Sequence, residues 1–390
     1  MSRGRWALVL GLALVMLFAS AGISFADEES VVAVQKYDRA IHIMAMLLVG
    51  FGFLMVFVRR YGRSALTATF LLVSVAIPLY MVVDSAGILG DAIDVEVDRL
   101  VLAEFAAASL LICAGAALGR LKMWQYMILG LFFIPLYMLN EWIVLENGLG
   151  LMPVGSFVDT GGSIVIHAFG ALFGLGVVLT MTTKREFETE IESDSTSDRF
   201  SMLGSMVLWV FWPSFVAALV PPELVPFTAV NVIIALCGST IATYLATVIL
   251  RRGISIADIA NAALAGGVAI GATAAHASHP VALLIGVLAG SLSTFGFAVM
   301  QSRLQGVLKM VDTCGVTNLH GWPGLMGGIA AVFVVSGISA GYQMAGIGIT
   351  IAIALVAGLA VGRILSVLGR RAMPYEDSEE FIEAQASPVV

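Results

Sequence analysis

From residue 36 onward the chain alternates long apolar runs with short polar breaks. Eleven runs stand out, at 39–58, 65–83, 100–119, 124–144, 160–182, 201–220, 226–250, 257–275, 280–301, 313–336 and 342–368. Each is long enough to cross the ~30 Å hydrocarbon core of a bilayer as a helix. None alternates with the period of two that a lipid-facing strand needs. The pattern predicts an all-α polytopic membrane protein with eleven transmembrane helices.

The segment ahead of these runs reads as an address. Arg3 and Arg5 precede an apolar run from Trp6 to Phe18, and small residues Ser24 and Ala26 stand just before the acidic Asp27-Glu28-Glu29. This is the layout of a signal peptide cleaved after Ala26, covering residues 1–26. With the mature N-terminus outside, the basic residues sort by side. Lys36, Arg39 and Arg99 fall outside, and the others beyond the leader fall on inner loops or at the inner end of the last helix. The positive-inside rule then places the C-terminus in the cytoplasm. The membrane domain runs over 27–371, and an acidic tail, 372–390, follows.

Composition narrows the function classes. Of 390 residues, 59% are hydrophobic and only 12% are charged, with a net charge of −7. So few charges cannot cover a soluble protein of this size, and a nucleic-acid partner is excluded by the weak basic content. The 41 glycines suit close helix packing in lipid. Cys113, Cys237 and Cys314 sit in apolar runs without a CxxC pair and are read as small core residues. The Asp84–Asp98 loop carries Asp84, Asp91, Asp94, Glu96 and Asp98, either to gather cations at the outer mouth or simply as solvated surface. The inner loop 183–200 is polar and reads as flexible.

The chemistry lies in an internal repeat. Residues 159–174 read DTGGSIVIHAFGALFG and residues 312–327 read DTCGVTNLHGWPGLMG. Asp159/Asp312, Thr160/Thr313, Gly162/Gly315, His167/His320 and Gly174/Gly327 coincide without a gap. The copies open the fifth and tenth runs, an odd offset, so they run in opposite directions. The chain is expected to hold two inverted five-helix repeats, at about 37–182 and 199–336, plus a final helix. If each Asp opens its helix, each His lies about 12 Å further along, near the middle of the bilayer. Of the five histidines, only His167 and His320 are expected to be deep.

Two imidazoles side by side form a polar line in a dry bore, since a neutral ring offers one donor and one acceptor. Such a line suits a small polar solute such as ammonia and suits a bare cation poorly. The alternative is a satisfied core pair tying two helices together. Asp159 and Asp312 read either as proton carriers or as helix caps, and capping is the stronger reading. Phe105, roughly 8 Å below the outer edge, and Phe215, roughly 21 Å from the inner edge, share a depth above the histidines. They are candidates for an apolar gate or for ordinary core packing.

The stretch DTCGVTNLHGWPGLMGGI (312–329) resembles the signature of the Rh branch of the Amt/Rh ammonium transporter family. GGSIVIHAFGALFGL (161–175), LWVFWPSF (208–215), NAALAGGVAIG (261–271), NEW (140–142) and STFGF (293–297) are similar to Rh segments in the same order. The resemblance covers nearly the whole mature chain. It implies a homotrimer in a bacterial inner membrane, one pore per subunit, and conduction of ammonia derived from ammonium. It implies no enzyme activity and no cofactor. His167 and His320 correspond to the family's twin pore histidines, and Phe105 (AEF) and Phe215 (WPSF) to its phenylalanine gate. Asp159 and Glu141 correspond to outer-vestibule acids, Asp198 to an inner-vestibule acid, and Asp312 to the symmetry-related Asp. No counterpart of the ammonium-binding vestibule tryptophan of Amt proteins is found, which argues against a high-affinity electrogenic mode. The short tail lacks an Amt-type regulatory segment. Methylammonium and carbon dioxide are alternative solutes, and proton-coupled ammonium transport is an alternative mode. From other classes, a paired-His haem protein and a structural or sensor role are the rivals.

Overall fold

A computed structural model describes residues 28–382. The expected signal peptide, 1–26, lies outside the described residues, as do residue 27 and residues 383–390 of the tail. All regular structure among the described residues is helical.

The main helical segments are α1 (Ser30–Phe57), α2 (Gly62–Ser85), α3 (Glu96–Ala116), α4 (Met123–Leu145), α5 (Ser163–Met181), α6 (Ser195–Val216), α7 (Pro222–Arg251), α8 (Ile256–Ile270), α9 (His279–Leu308), α10 (317–334) and α11 (Ala340–Val367). Among the described residues nine of these are long and apolar enough to cross a membrane; α8 and α10 are the two outside that set. Both fall on runs expected from hydropathy, and both depart from a plain apolar helix. α8 breaks at Ala263–Leu264 and ends at Ile270, where turns replace the helix expected up to residue 275. An apolar Ala/Gly/Thr stretch has the same hydropathy whether it is helical or turned. α10 opens with a π-helical turn, Thr317–Gly321, that carries polar Asn318 and His320.

Small residues set the closest helix contacts. A Cβ on Gly286 or Gly290 of α9 would lie 2.1 Å from Ala235 O or 2.4 Å from Ser239 O of α7. A Cβ on Gly358 of α11 would lie 2.2 Å from Phe173 O of α5. The backbones meet directly, as glycine allows between membrane helices. α3 and α5 are the most enclosed of these helices, and the site forms where they meet α6, α8 and α10.

The 183–200 segment is not the flexible loop its composition suggests. Thr183 and Glu186 close a capping box around a short helix, Lys184–Glu188. Arg59 N then donates to Glu192 O at 2.9 Å, and Asp194 caps α6 through Thr196 N and Ser197 N. In the Asp84–Asp98 loop, Asp84 pairs with Arg99 at 2.9 Å and Asp98 with Lys36 at 2.7 Å, so part of the acidic charge is neutralised. The cysteine expectation holds only for Cys113, which is buried; Cys237 is exposed and Cys314 is half-buried.

Candidate functional site

The repeated Asp-Thr-x-Gly stretches form the same turn twice. Gly162 and Gly315 both adopt left-handed backbone, φ 73° and 66°. Only glycine takes that conformation without strain. The turn swings the preceding Asp under the first free N–H groups of the helix. Asp159 Oδ2 accepts from Ile164 N at 2.9 Å and Val165 N at 2.7 Å. Asp312 accepts from Val316 N at 3.0 Å and Thr317 N at 2.9 Å. Burial raises both carboxyls above the ordinary Asp value, and these N–H groups pull them back down. The helices therefore begin after the turn, at Ser163 and near Thr317, rather than at the Asp. Each histidine sits in the opening π-helical turn: Ser163–Ala168 and Thr317–Gly321.

The two turns are anchored alike. Gly161 N donates to Gly271 O at the end of α8 at 2.9 Å. Cys314 N, one repeat later, donates to Gly115 O at the end of α3 at 3.2 Å. A Cβ on Gly174 would meet Cys113 O at 3.0 Å, and one on Gly327 would meet Ala269 O at 2.2 Å. Gln301 and Gln305 of α9 brace the second turn, through Asp312 O at 3.1 Å and Asp312 N at 3.0 Å.

These anchors bring the two histidines face to face. His320 Nδ1 lies 3.2 Å from His167 Nδ1, with the rings 14° from coplanar. Both side chains are buried, and His167 Nε2 has no hydrogen-bond partner among the described residues. Apolar rings line the pair. Trp212 stacks on His167 at 5.6 Å between centroids, Phe215 stands 6.0 Å from His167, and Phe51 stacks on His320 at 6.3 Å. Phe105 and Phe215 touch, 4.6 Å between centroids. Four of the candidate residues, His167, His320, Phe105 and Phe215, thus form one column.

Cavities extend the column at both ends. Beside the phenylalanines a cleft of about 380 Å³ is lined by Phe105, Glu141, Asp159, Thr160 and His276, among others. Glu141 is held there by Tyr80 Oη at 2.9 Å and Tyr137 Oη at 3.4 Å. Beyond His320 lies a tight space of about 20 Å³, walled by Phe51, Leu54, Ile112, Leu319, Asn261 and Cys314. Next to it a cavity of about 140 Å³ is lined by Asp198, Asn261, Gln301 and Cys314. Asp312 lines none of these cavities; it stays beneath its own helix.

Sequence reasoning missed several residues. Trp212 and Phe51 were not separable from other apolar positions. Glu104, beside Phe105, is 1% exposed, and its Oε2 has no partner among the described residues. Asn261 carried a signal, since a polar amide interrupts an otherwise apolar run. Cys314 also carried a signal, since it lies inside the repeated motif.

A helical, multi-pass membrane protein with a paired-histidine column between two cavities is the class this fold and site define. The chain belongs to the ammonium transporter family: the model of the Ammonium Transporter Family matches residues 6–385. It is 35% identical to the ammonium transporter Rh type A of Bos taurus, over 90% of this chain and 83% of that one. It is 38% identical to the ammonium transporter Rh type B of Homo sapiens, over 77% of this chain and 66% of that one. The solved structure of Rh50 from Nitrosomonas europaea is 53% identical, covers 93% of this chain and 95% of its own, and superposes with a TM-score of 0.89. A sensor Amt protein shares the fold at 16% identity, with a TM-score of 0.72.

Proposed function

We propose that this protein is an Rh-type channel for ammonium and ammonia. It recruits ammonium in the cleft at Glu141, where Asp159 serves as the helix cap, and conducts neutral ammonia along the Phe105–Phe215–His167–His320 column. Family membership and likeness to the Rh transporters support the substrate class. The observation that carries the route is the 3.2 Å contact between two buried imidazole nitrogens in an otherwise apolar bore.

The chemistry follows from desolvation. Ammonium entering the bore would lose its hydration with no ring of carbonyls to replace it. It therefore releases a proton to water in the cleft, and ammonia passes the two phenylalanines. The His–His contact needs one Nδ1–H donor and one bare Nδ1 acceptor. The two Nε2 atoms are then one acceptor and one donor, matching a molecule that both donates and accepts. Ammonia leaving past His320 regains a proton from water in the cavity at Asp198.

The remaining reading rests on the same family and on the sequence pattern. The membrane domain, 27–371, spans the bilayer eleven times as two inverted repeats and a last helix. The matched Gly162/Gly315 turns and the matched Gly161–Gly271 and Cys314–Gly115 bonds support the repeat. The protein is a homotrimer in a bacterial inner membrane, with its N-terminus outside and the 372–390 tail in the cytoplasm. It is a transporter without enzymatic activity.

The test is reconstitution in liposomes with an internal pH dye. Ammonium and carbon dioxide steps are compared among protein, empty and His167→Ala vesicles. Faster alkalinisation with ammonium in protein vesicles, slowed by His167→Ala, is the expected result. Acceleration with carbon dioxide alone overturns the substrate. Net current on a solid-supported membrane overturns the neutral mode.

A further inference from the structure

The two histidines are the polar groups of the column, which below His320 meets a narrow space before it widens at Asp198. Asn261 borders both that space and the wider cavity. The space holds about 20 Å³, enough for one water-sized molecule. Apart from His320, Asn261 is the one lining residue with a side-chain oxygen or nitrogen; Cys314 and Met55 bring only sulfur, a weak acceptor.

The orientation of the Asn261 amide is set by its neighbour. Its side-chain nitrogen lies 2.9 Å from Ala257 O. A carbonyl oxygen only accepts, so the NH2 group must face it and Oδ1 must point away. Oδ1 has no partner among the described residues. Asn261 stands in the last turn before α8 breaks at Ala263–Leu264, and Leu264 N donates to Asn261 O at 2.9 Å.

We infer that Asn261 is a specificity-determining residue of the exit, its Oδ1 accepting a hydrogen bond from ammonia as ammonia leaves His320. This deepens the channel reading and rests on it. A neutral amide oxygen suits the task. It accepts from ammonia without the charge that would hold ammonium, so release into the cavity at Asp198 is not impeded. Cys314, a weak acceptor, does not substitute for it.

Three variants separate an acceptor from a simple wall. Asn261→Leu keeps the volume and removes the oxygen. Asn261→Ala removes the oxygen and widens the exit. Asn261→Ser keeps a shorter polar group that can bond back to Ala257 O. Each is reconstituted at matched density and challenged with ammonium chloride steps beside wild type and empty vesicles. The acceptor reading expects Leu and Ala both to slow alkalinisation, by roughly three- to tenfold, the effect of one hydrogen bond on a barrier. Ser is expected in between, and serves as the variant least disturbing to the fold. Asn261→Ala at or above the wild-type rate means a steric wall and overturns the inference alone. A wild-type rate equal to that of empty vesicles overturns the channel reading itself, and this inference with it.

Discussion

His320 Nδ1 stands 3.2 Å from His167 Nδ1, and only one of those nitrogens carries the proton between them. The pair is a unit: the tautomer of each ring fixes that of the other. Removing either ring removes the same hydrogen bond. His167→Ala and His320→Ala are each expected to slow ammonia flux about tenfold, on the order of one hydrogen bond lost from the transit barrier. The double variant is expected to be no slower than the slower single one, because interacting residues are not additive. Stopped-flow alkalinisation of proteoliposomes measures all three. Multiplying single effects in the double variant would mean two independent sites.

The paired glycines make a stability prediction. At φ 73° and 66°, an alanine at Gly162 or Gly315 is strained by about 1–2 kcal/mol before any contact is considered. The Gly315 Cβ would also lie 2.3 Å from Phe297 Cε1, and the Gly162 Cβ 2.2 Å from Ile166 Cδ1. Both alanine variants should lower the thermal midpoint in detergent. Gly348→Ala is the control: it lies in α11 with open space around it, and alanine is the better helix former. A midpoint for Gly315→Ala as high as that of Gly348→Ala would contradict the account of the turn.

Asp159 can be tested as a cap against a proton carrier. Its Oδ2 serves two backbone N–H groups, so Asp159→Ala leaves them unsatisfied at a cost of roughly 1–3 kcal/mol. Asp159→Asn keeps an acceptor oxygen and cannot carry a proton. Near wild-type flux in Asp159→Asn, with lowered stability in Asp159→Ala, is the expected pattern. Loss of flux in a stable Asp159→Asn protein would assign proton transfer to this residue.

The histidine pair was legible in the sequence because the turn that positions it is written out twice, with Asp, Gly and His at fixed offsets. The depth of the histidines was less legible, because the left-handed Gly162 and Gly315 delay both helices past the Asp that the pattern places at their start. α8 was legible as an apolar run but not as a broken helix, since hydropathy does not distinguish a helix from tight apolar turns. Trp212 and Phe51 were invisible because long-range packing, and no local pattern, turns them toward the histidines. Asp198 and Glu141 came from family resemblance, and the structure places each beside a cavity.

Phe105 and Phe215, 4.6 Å between ring centroids with Phe215 6.0 Å from His167, are tested as a gate through water, to which apolar rings offer no strong hydrogen bond. Phe215→Ala is expected to raise osmotic water permeability of proteoliposomes, measured by light scattering after a sucrose step. It also removes a buried ring, costing on the order of 3 kcal/mol. Phe215→Leu retains most of the apolar volume and is expected to stay near the wild-type permeability. Equal water permeability in the wild-type, Ala and Leu proteins would remove the gate and leave core packing.

The tail is where the acidic composition was least informative. Tyr61, which precedes α2, gives that helix no side-chain cap. The cap comes instead from Asp377, whose Oδ1 accepts from Ser64 N at 2.8 Å and Oδ2 from Arg63 N at 3.0 Å. Around it, Tyr375 N donates to Gly119 O at 2.9 Å, and the fully buried Arg371 side chain pairs with Glu380 at 2.6 Å. Glu380 in turn accepts from Met123 N, at the start of α4, at 2.9 Å. The segment thus fastens the starts of α2 and α4 from more than 250 positions away along the chain. Asp377→Ala is expected to cost about 1 kcal/mol, the usual loss of a cap, and Asp377→Asn less. Thermal unfolding in detergent checks the order. Because Asp377 touches no residue of the histidine column, ammonia flux per folded channel is expected to be unchanged. A stable Asp377→Ala protein with reduced flux would instead couple this fastening to the pore.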